Sequence, residues 1–117
     1  MRGVIVGGAL LLSAGGAWGH AFLDRAEPRV GSTVRTAPTQ VRVWFTENLE
    51  PAFSTLEVWD KEGKRVDAGP AEVSPTSPAM LQVPVKALGP GTYRVKWRVL
   101  SVDTHVTEGE FTFHVAP

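Results

Sequence analysis

The chemistry open to this chain is set by its histidines and by what it lacks. It carries three histidines, at positions 20, 105 and 114, and no cysteine. Disulfides and thiolate ligation of zinc or copper are therefore excluded. Any metal site must be built from nitrogen and oxygen donors, with Met80 the one sulfur after Met1. His20 directly follows Ala17-Trp18-Gly19. Cleavage after Gly19 would make it the first residue, with a free α-amine beside its imidazole. Those two nitrogens can close one chelate ring on a metal ion, which an internal histidine cannot do. A second group of donors lies in Ser101-Val102-Asp103-Thr104-His105. As extended chain, this segment points residues two apart to one side, with Cα atoms roughly 6.5–7 Å apart. Asp103 and His105 are thus expected to converge on one ion. Alone, such a triplet is more often a loop carboxylate beside a surface histidine.

The cut that would expose His20 is itself written in the N-terminal residues. Arg2 supplies a positive start, Val4 to Leu12 a mostly apolar run, and Ala17 and Gly19 the small residues that a signal peptidase requires. Residues 1–19 are read as a secretory signal peptide and residues 20–117 as the mature domain, periplasmic or secreted. The stretch from Val4 to Trp18 is too short for a membrane span of ~20 residues, and Gly7, Gly8, Gly15 and Gly16 interrupt it. With no cysteine there is no site for a lipoprotein anchor.

The remaining length suits one ordinary domain. Charge is balanced, 12 Lys and Arg against 12 Asp and Glu. No basic block is present, so nucleic acid is not an expected partner. A monomer is expected.

The elements that must hold the donors are strands. Gln40 to Thr46 alternates, with Val41, Val43 and Phe45 on one face and Gln40, Arg42, Trp44 and Thr46 on the other. Thr55 to Trp59 repeats this with Leu56 and Val58 inward. Leu81, Val83 and Val85 alternate again, and Pro84 marks that strand as an edge or as ending there. Thr92 to Val99 places Tyr93, Val95, Trp97 and Val99 inward. Phe111, Phe113 and Val115 alternate with Glu110, Thr112 and His114. Shorter strands are expected at Ala21–Arg25, Val30–Val34 and near Val66. Turn signals separate these runs, at Glu27-Pro28, Ala37-Pro38, Glu62-Gly63, Gly69-Pro70 and Gly89-Pro90-Gly91. Asp67 to Pro78 reads as a long surface loop. About seven strands at this spacing indicate an all-β domain, an Ig-like Greek-key β-sandwich.

A terminal histidine gives the Asp103–His105 pair more weight. The amine and imidazole of His20, the imidazole of His105 and the carboxylate of Asp103 form a set of three nitrogens and one oxygen. A tetragonal set of this kind suits Cu(II), which heads the divalent affinity order. Zinc is the rival, but its structural sites commonly use cysteine. A free amine has an unperturbed pKa of about 7.7–8, so binding must displace a proton and affinity should fall in acid.

Four blocks carry a family resemblance: His20-Ala21-Phe22-Leu23; Glu27-Pro28 and Gly31-Ser32 followed by Ala37-Pro38; Val43-Trp44-Phe45-Thr46-Glu47-Asn48-Leu49; and Gly91 through His105. The last ends in W-R-V-x-S-x-D-x-H, a pattern specific to one family. Over essentially all of residues 20–117, the chain resembles the CopC-type periplasmic copper-binding proteins. The resemblance implies a β-sandwich holding one Cu(II) ion in a histidine-brace site. On the matching positions the ligands are His20 through two nitrogens, His105, and Asp103 through oxygen. Glu47 matches a family glutamate near that site. It is read either as an acceptor orienting an imidazole or the amine, or as a solvated carboxylate at a strand end.

Certain relatives carry a methionine-rich stretch resembling a thioether site for Cu(I). Here Trp59 to Ser77 contains neither methionine nor histidine, so a separate Cu(I) site is not expected. Met80 is read as loop or core filler, and His114 as a solvated histidine. Trp97 resembles the core tryptophan of sandwiches. Trp44 and Trp59 face outward, covering a sandwich edge or shielding the metal. The function implied is a copper carrier or buffer that is not an enzyme. The resemblance suggests a CopD-type inner-membrane protein as its partner. Two alternatives stand beside it: a small copper-dependent oxidative enzyme with a histidine brace, and a metal-free sandwich serving adhesion or assembly.

Overall fold

Alternation of apolar and polar residues becomes alternation of buried and exposed faces in the strands that build the core. The computed structural model describes residues 22–117. The leader at 1–19, His20 and Ala21 lie outside the described residues. The strands are β1 (Leu23–Glu27), β2 (Thr33–Val34), β3 (Gln40–Phe45), β4 (Thr55–Trp59), β5 (Glu72–Val73), β6 (Met80–Pro84), β7 (Gly91–Leu100) and β8 (Val106–Val115). A 3-10 turn, Pro51–Phe53, lies between β3 and β4. One four-stranded sheet runs in the order β1-β3-β6-β5, the other in the order β2-β8-β7-β4. Neighbouring strands are antiparallel except β2, which adds parallel to β8. This is the expected Ig-like sandwich, with eight strands among the described residues rather than about seven.

The core is what the alternating positions supply. Val41, Val43 and Phe45 of β3 and Leu81 and Val83 of β6 face Leu56 and Val58 of β4, Tyr93, Val95 and Val99 of β7, and Phe111, Phe113 and Val115 of β8. Burial of each such side chain contributes ~1.5–3 kcal/mol. Tyr93 stacks on Phe113 with centroids 5.5 Å apart, and its hydroxyl donates to the Gly89 carbonyl at 2.7 Å. The phenol is thereby buried without an unmet donor. Trp97, half-buried, meets Phe45 edge-on at 5.2 Å. Its indole lies over Gly109, where an added Cβ would sit 2.6 Å from Cζ2. A side chain at position 109 would displace the ring.

Several expectations need correction. The last strand begins at Val106 rather than near Glu110, and pairs with β7 over its whole length, from Gly91↔Val115 to Leu100↔Val106. Short-range alternation is lost at its start because Val106 is exposed and Gly109 has no side chain. Pro84 does end β6, which is an interior strand between β3 and β5. Met80 is neither loop nor core: it opens β6, half-buried, in register with Trp44.

The 67–78 segment is more than a surface loop. It contains β5, and its first residue ties the two sheets together. Val66 donates to the Val58 carbonyl of one sheet at 2.8 Å, while Ala68 donates to Pro84 of the other at 2.8 Å. Between them, Asp67 Oδ1 accepts from the Val58 N–H at 3.1 Å and from Arg65 Nε at 2.7 Å, and Oδ2 accepts from Arg65 Nη2 at 2.7 Å. Burial by itself would raise this carboxyl, but the Arg65 and Val58 hydrogen bonds outweigh it and hold Asp67 below the usual carboxylate range. No strand forms near Val66; isolated bridges Trp59↔Arg65 and Asp67↔Val85 take its place.

The β7–β8 connection is a tight hairpin. Ser101 N–H donates to His105 carbonyl at 3.0 Å, and Thr104 N–H donates to Ser101 carbonyl at 2.9 Å. Val102, Asp103 and Thr104 form the loop, with Thr104 at φ +72°. This is the three-residue hairpin in which the last loop residue is left-handed. Glycine is the easy occupant of that conformation, and a β-branched residue there is a genuine outlier costing ~1–2 kcal/mol.

Thr104→Gly should therefore stabilise the metal-free domain by about 1 kcal/mol and raise Tm by roughly 4–8 °C. An unchanged or lower Tm in thermal unfolding would contradict the strain. A carboxyl lowered on folding contributes stability that is present above its unfolded value of ~3.9 and is lost as pH falls through the folded value. Asp67→Asn should thus lower stability by about 1–2 kcal/mol at pH 7, with the gap to the unaltered protein narrowing below pH ~4. Urea titrations of both proteins at pH 7 and pH 3 read this directly, and a gap equal at both pH values would contradict it.

Candidate metal centre

The hairpin that connects the two longest strands brings two donors together. His105 Nδ1 lies 3.4 Å from Asp103 Oδ1, with both side chains substantially exposed, at 52% and 41%. The convergence does not come from extended chain, as alternation alone suggested. It comes from the reversal: Val102 and Asp103 form the turn, Thr104 takes the left-handed conformation, and His105 re-enters the ladder beside Ser101. The Ser101 hydroxyl, completely buried, donates to Asp103 Oδ1. That bond is the largest influence on Asp103 and lowers its carboxyl. Desolvation opposes it, and the nearby His105 ring and backbone lower the carboxyl further. Asp103 is consequently held in the anionic form that a metal ion needs.

The turn is fixed in place by the segment that follows β3. Val102 N–H donates to Asn48 carbonyl at 3.0 Å, Leu49 bridges Ser101, and Glu50 N–H donates to Leu100 carbonyl at 2.8 Å. Ser54 adds a side-chain tie, its hydroxyl accepting from Leu100 N–H at 3.3 Å and donating to Glu50 carbonyl at 2.9 Å. The same segment also grips the incoming chain. Phe22 N–H donates to Thr46 Oγ1 and Thr46 N–H to the Phe22 carbonyl, both at 2.9 Å. Immediately downstream, the β1–β3 register slips between Leu23 and Arg25, which leaves Asp24 as an extra residue. Bulges of this kind redirect a strand beside functional sites. Residues 46 to 49 therefore join Phe22 on one side to the Asp103 turn on the other.

Glu47 sits half-buried between these two attachments. Of the expected donors, Asp103 and His105 are brought together; His20 lies outside the described residues. Among the described residues no third histidine, aspartate or glutamate completes a group able to hold a metal ion. His114 is on the outer face of β8, as its parity indicates, but it is half-buried and its Nδ1 lies 2.8 Å from Thr92 Oγ1. Trp44 and Trp59 lie on outer faces against cations: Arg25 is 3.7 Å from the Trp44 ring centroid, and Arg65 is 5.4 Å from that of Trp59. Thr46 and Asn48 stood within the block that carries the family resemblance, but their roles went unread because they act mainly through short polar and backbone contacts that leave no periodic signal. Ser101 stood within the recognised motif, yet only the fold gives its hydroxyl a partner.

Comparison with known proteins agrees with this architecture. The family model for the CopC domain matches residues 23–116. Protein YobA of Escherichia coli K12 is 35% identical over 99 residues, covering 84% of this chain and 80% of that protein. Copper resistance protein C of Escherichia coli is 32% identical over 121 residues, covering 97% of this chain and 95% of its own. The crystal structure of CopC from Methylosinus trichosporium OB3b matches with a TM-score of 0.78 and 37% identity, over 84% of this chain and 95% of that one. A match spanning nearly all of the described chain, with relatives above 30% identity along most of both lengths, establishes that this chain belongs to the CopC family of copper-handling proteins.

Proposed function

We propose that the chain is exported, cleaved before His20, and binds one Cu(II) ion through the new α-amine, the His20 imidazole, the His105 imidazole and the Asp103 carboxylate. The observation that carries this is the approach of Asp103 and His105 at a turn fixed to the residues that hold Phe22. One residue separates His20 from Phe22, and two residues of chain reach at most roughly 7 Å. A terminal histidine would thus be tethered close to Phe22, whose partner segment also holds the Asp103 turn. Three nitrogens and an oxygen supply the tetragonal donor set that Cu(II) favours. The donors lie on an exposed hairpin, open to solvent and to an exchange partner, which suits a protein that holds and passes on copper in the periplasm. Asp103 would fill a coordination position that an oxygen-activating enzyme leaves open, so carriage rather than catalysis is the function proposed. A membrane partner of the CopD type would receive or supply the ion. Glu47, between the two attachments, would accept a hydrogen bond from the amine or an imidazole of the loaded site.

Mass analysis of the exported protein should place the N-terminus at His20, and the electron paramagnetic resonance spectrum of its Cu(II) form should show three nitrogen donors. A terminus elsewhere would remove the chelate and contradict the assignment. Retaining one residue before His20 should weaken Cu(II) binding at least tenfold in a chelator competition, because the amine becomes an amide. Equal affinity in both forms would argue against amine ligation. His105→Ala should lose roughly 100-fold or more, beyond the 10–100-fold typical of outer groups, while His114→Ala should bind as the unaltered protein does. The reverse pattern would place the metal on the other face of the domain.

A further inference from the structure

Among the described residues, Ser101 is the one polar residue with no exposure at all. A hydroxyl taken fully out of water needs a partner, and the identity of that partner is informative. Ser101 has one proton to give and two acceptors nearby: Asp103 Oδ1, in direct hydrogen-bond contact, and the His105 carbonyl at 3.3 Å. The carboxylate takes it. The Ser101 backbone is meanwhile fixed three ways, by its N–H to His105, its carbonyl from Thr104 and its bridge to Leu49. The hydroxyl is therefore presented from a rigid frame and is itself shielded from any ion at the surface.

Asp103, by contrast, is an exposed side chain on a turn, and an untethered carboxylate there would sample several rotamers. Ordering it at the moment of metal capture would weaken affinity. Held through Oδ1, which also faces His105 Nδ1 at 3.4 Å, it is fixed in one orientation before any ion arrives. We infer that Ser101 is a positioning residue for copper capture: its buried hydroxyl clamps Asp103 Oδ1 and so fixes the orientation in which the carboxylate meets the ion. This rests on the proposal that Asp103 is a ligand. It extends that proposal to a residue that never touches the metal.

The test compares Ser101→Ala, Ser101→Thr, Asp103→Ala and the Ser101→Ala/Asp103→Ala double variant in the exported protein. Cu(II) affinity is read by chelator competition, the donor set by electron paramagnetic resonance, and the fold by thermal unfolding. Ser101→Ala should weaken binding roughly 10–100-fold and alter the Cu(II) spectrum, while melting within a few degrees of the unaltered protein. Ser101→Thr, which keeps the hydroxyl, should restore both affinity and spectrum. In the Asp103→Ala background, removing the hydroxyl should have no further effect on binding. Loss of affinity in Asp103→Ala with none in Ser101→Ala would overturn the clamp and leave the ligand assignment standing. Unchanged affinity in Asp103→Ala would overturn the ligand assignment, and the clamp with it. Should Ser101→Ala fail to fold, the unaltered metal-free protein still decides. Its Ser101 hydroxyl proton should exchange slowly with water and show a through-bond NMR coupling to the Asp103 carboxylate carbon, and a fast-exchanging, uncoupled proton would contradict the clamp.

Discussion

The hydrogen bond from Val102 N–H to the Asn48 carbonyl, with the Leu49–Ser101 bridge beside it, is the constraint on which the metal end of this molecule depends. Without it, the β7–β8 hairpin would be an exposed reversal carrying an aspartate and a histidine among solvent. With it, the turn is held against the chain leaving β3, and that same chain holds Phe22 through Thr46. Three segments distant in sequence are thereby fixed relative to one another by backbone contacts. The left-handed Thr104 fits this picture, since backbone strain persists where surrounding structure over-determines it, commonly at functional sites.

Much of the fold was legible because burial enforces a period of two. Val41, Val43 and Phe45, then Leu56 and Val58, then Tyr93 to Val99, announce their strands through that period, and their faces are as expected. The signal fails where side chains do not report burial. β8 begins with an exposed valine and soon reaches a glycine packed beneath Trp97, so its first half carries no alternation. β5 has two residues, too few for any period, and the tie between the sheets at Asp67 depends on an Arg65 fork and a backbone N–H rather than on hydrophobicity.

The candidate site shows the same division. The types and spacing of Asp103 and His105 were readable, and their approach was expected, yet from the wrong geometry. Extended chain would have separated their Cα atoms while pointing both side chains one way. The hairpin instead closes them around a buried serine hydroxyl. The backbone roles of Thr46, Asn48 and Leu49 could not be read, because hydrogen bonds made by the main chain leave residue identity almost free. The choice of donors, in contrast, follows from composition: a chain without cysteine, and with one methionine beyond its first residue, has only nitrogen and oxygen to offer a hard-to-borderline cation.

On the proposed assignment, the sandwich acts as a rigid post whose end presents half of a coordination sphere, with the processed terminus supplying the remainder. Crystals of the exported protein loaded with Cu(II), measured by anomalous diffraction at the copper edge, test this most directly. The account predicts one copper peak at the β7–β8 turn, bonded to an Asp103 carboxylate oxygen, a His105 ring nitrogen, and both the amine and imidazole of a terminal His20. A peak beside His114 or Met80, or a copper ion at the turn without the terminal amine among its ligands, would contradict it.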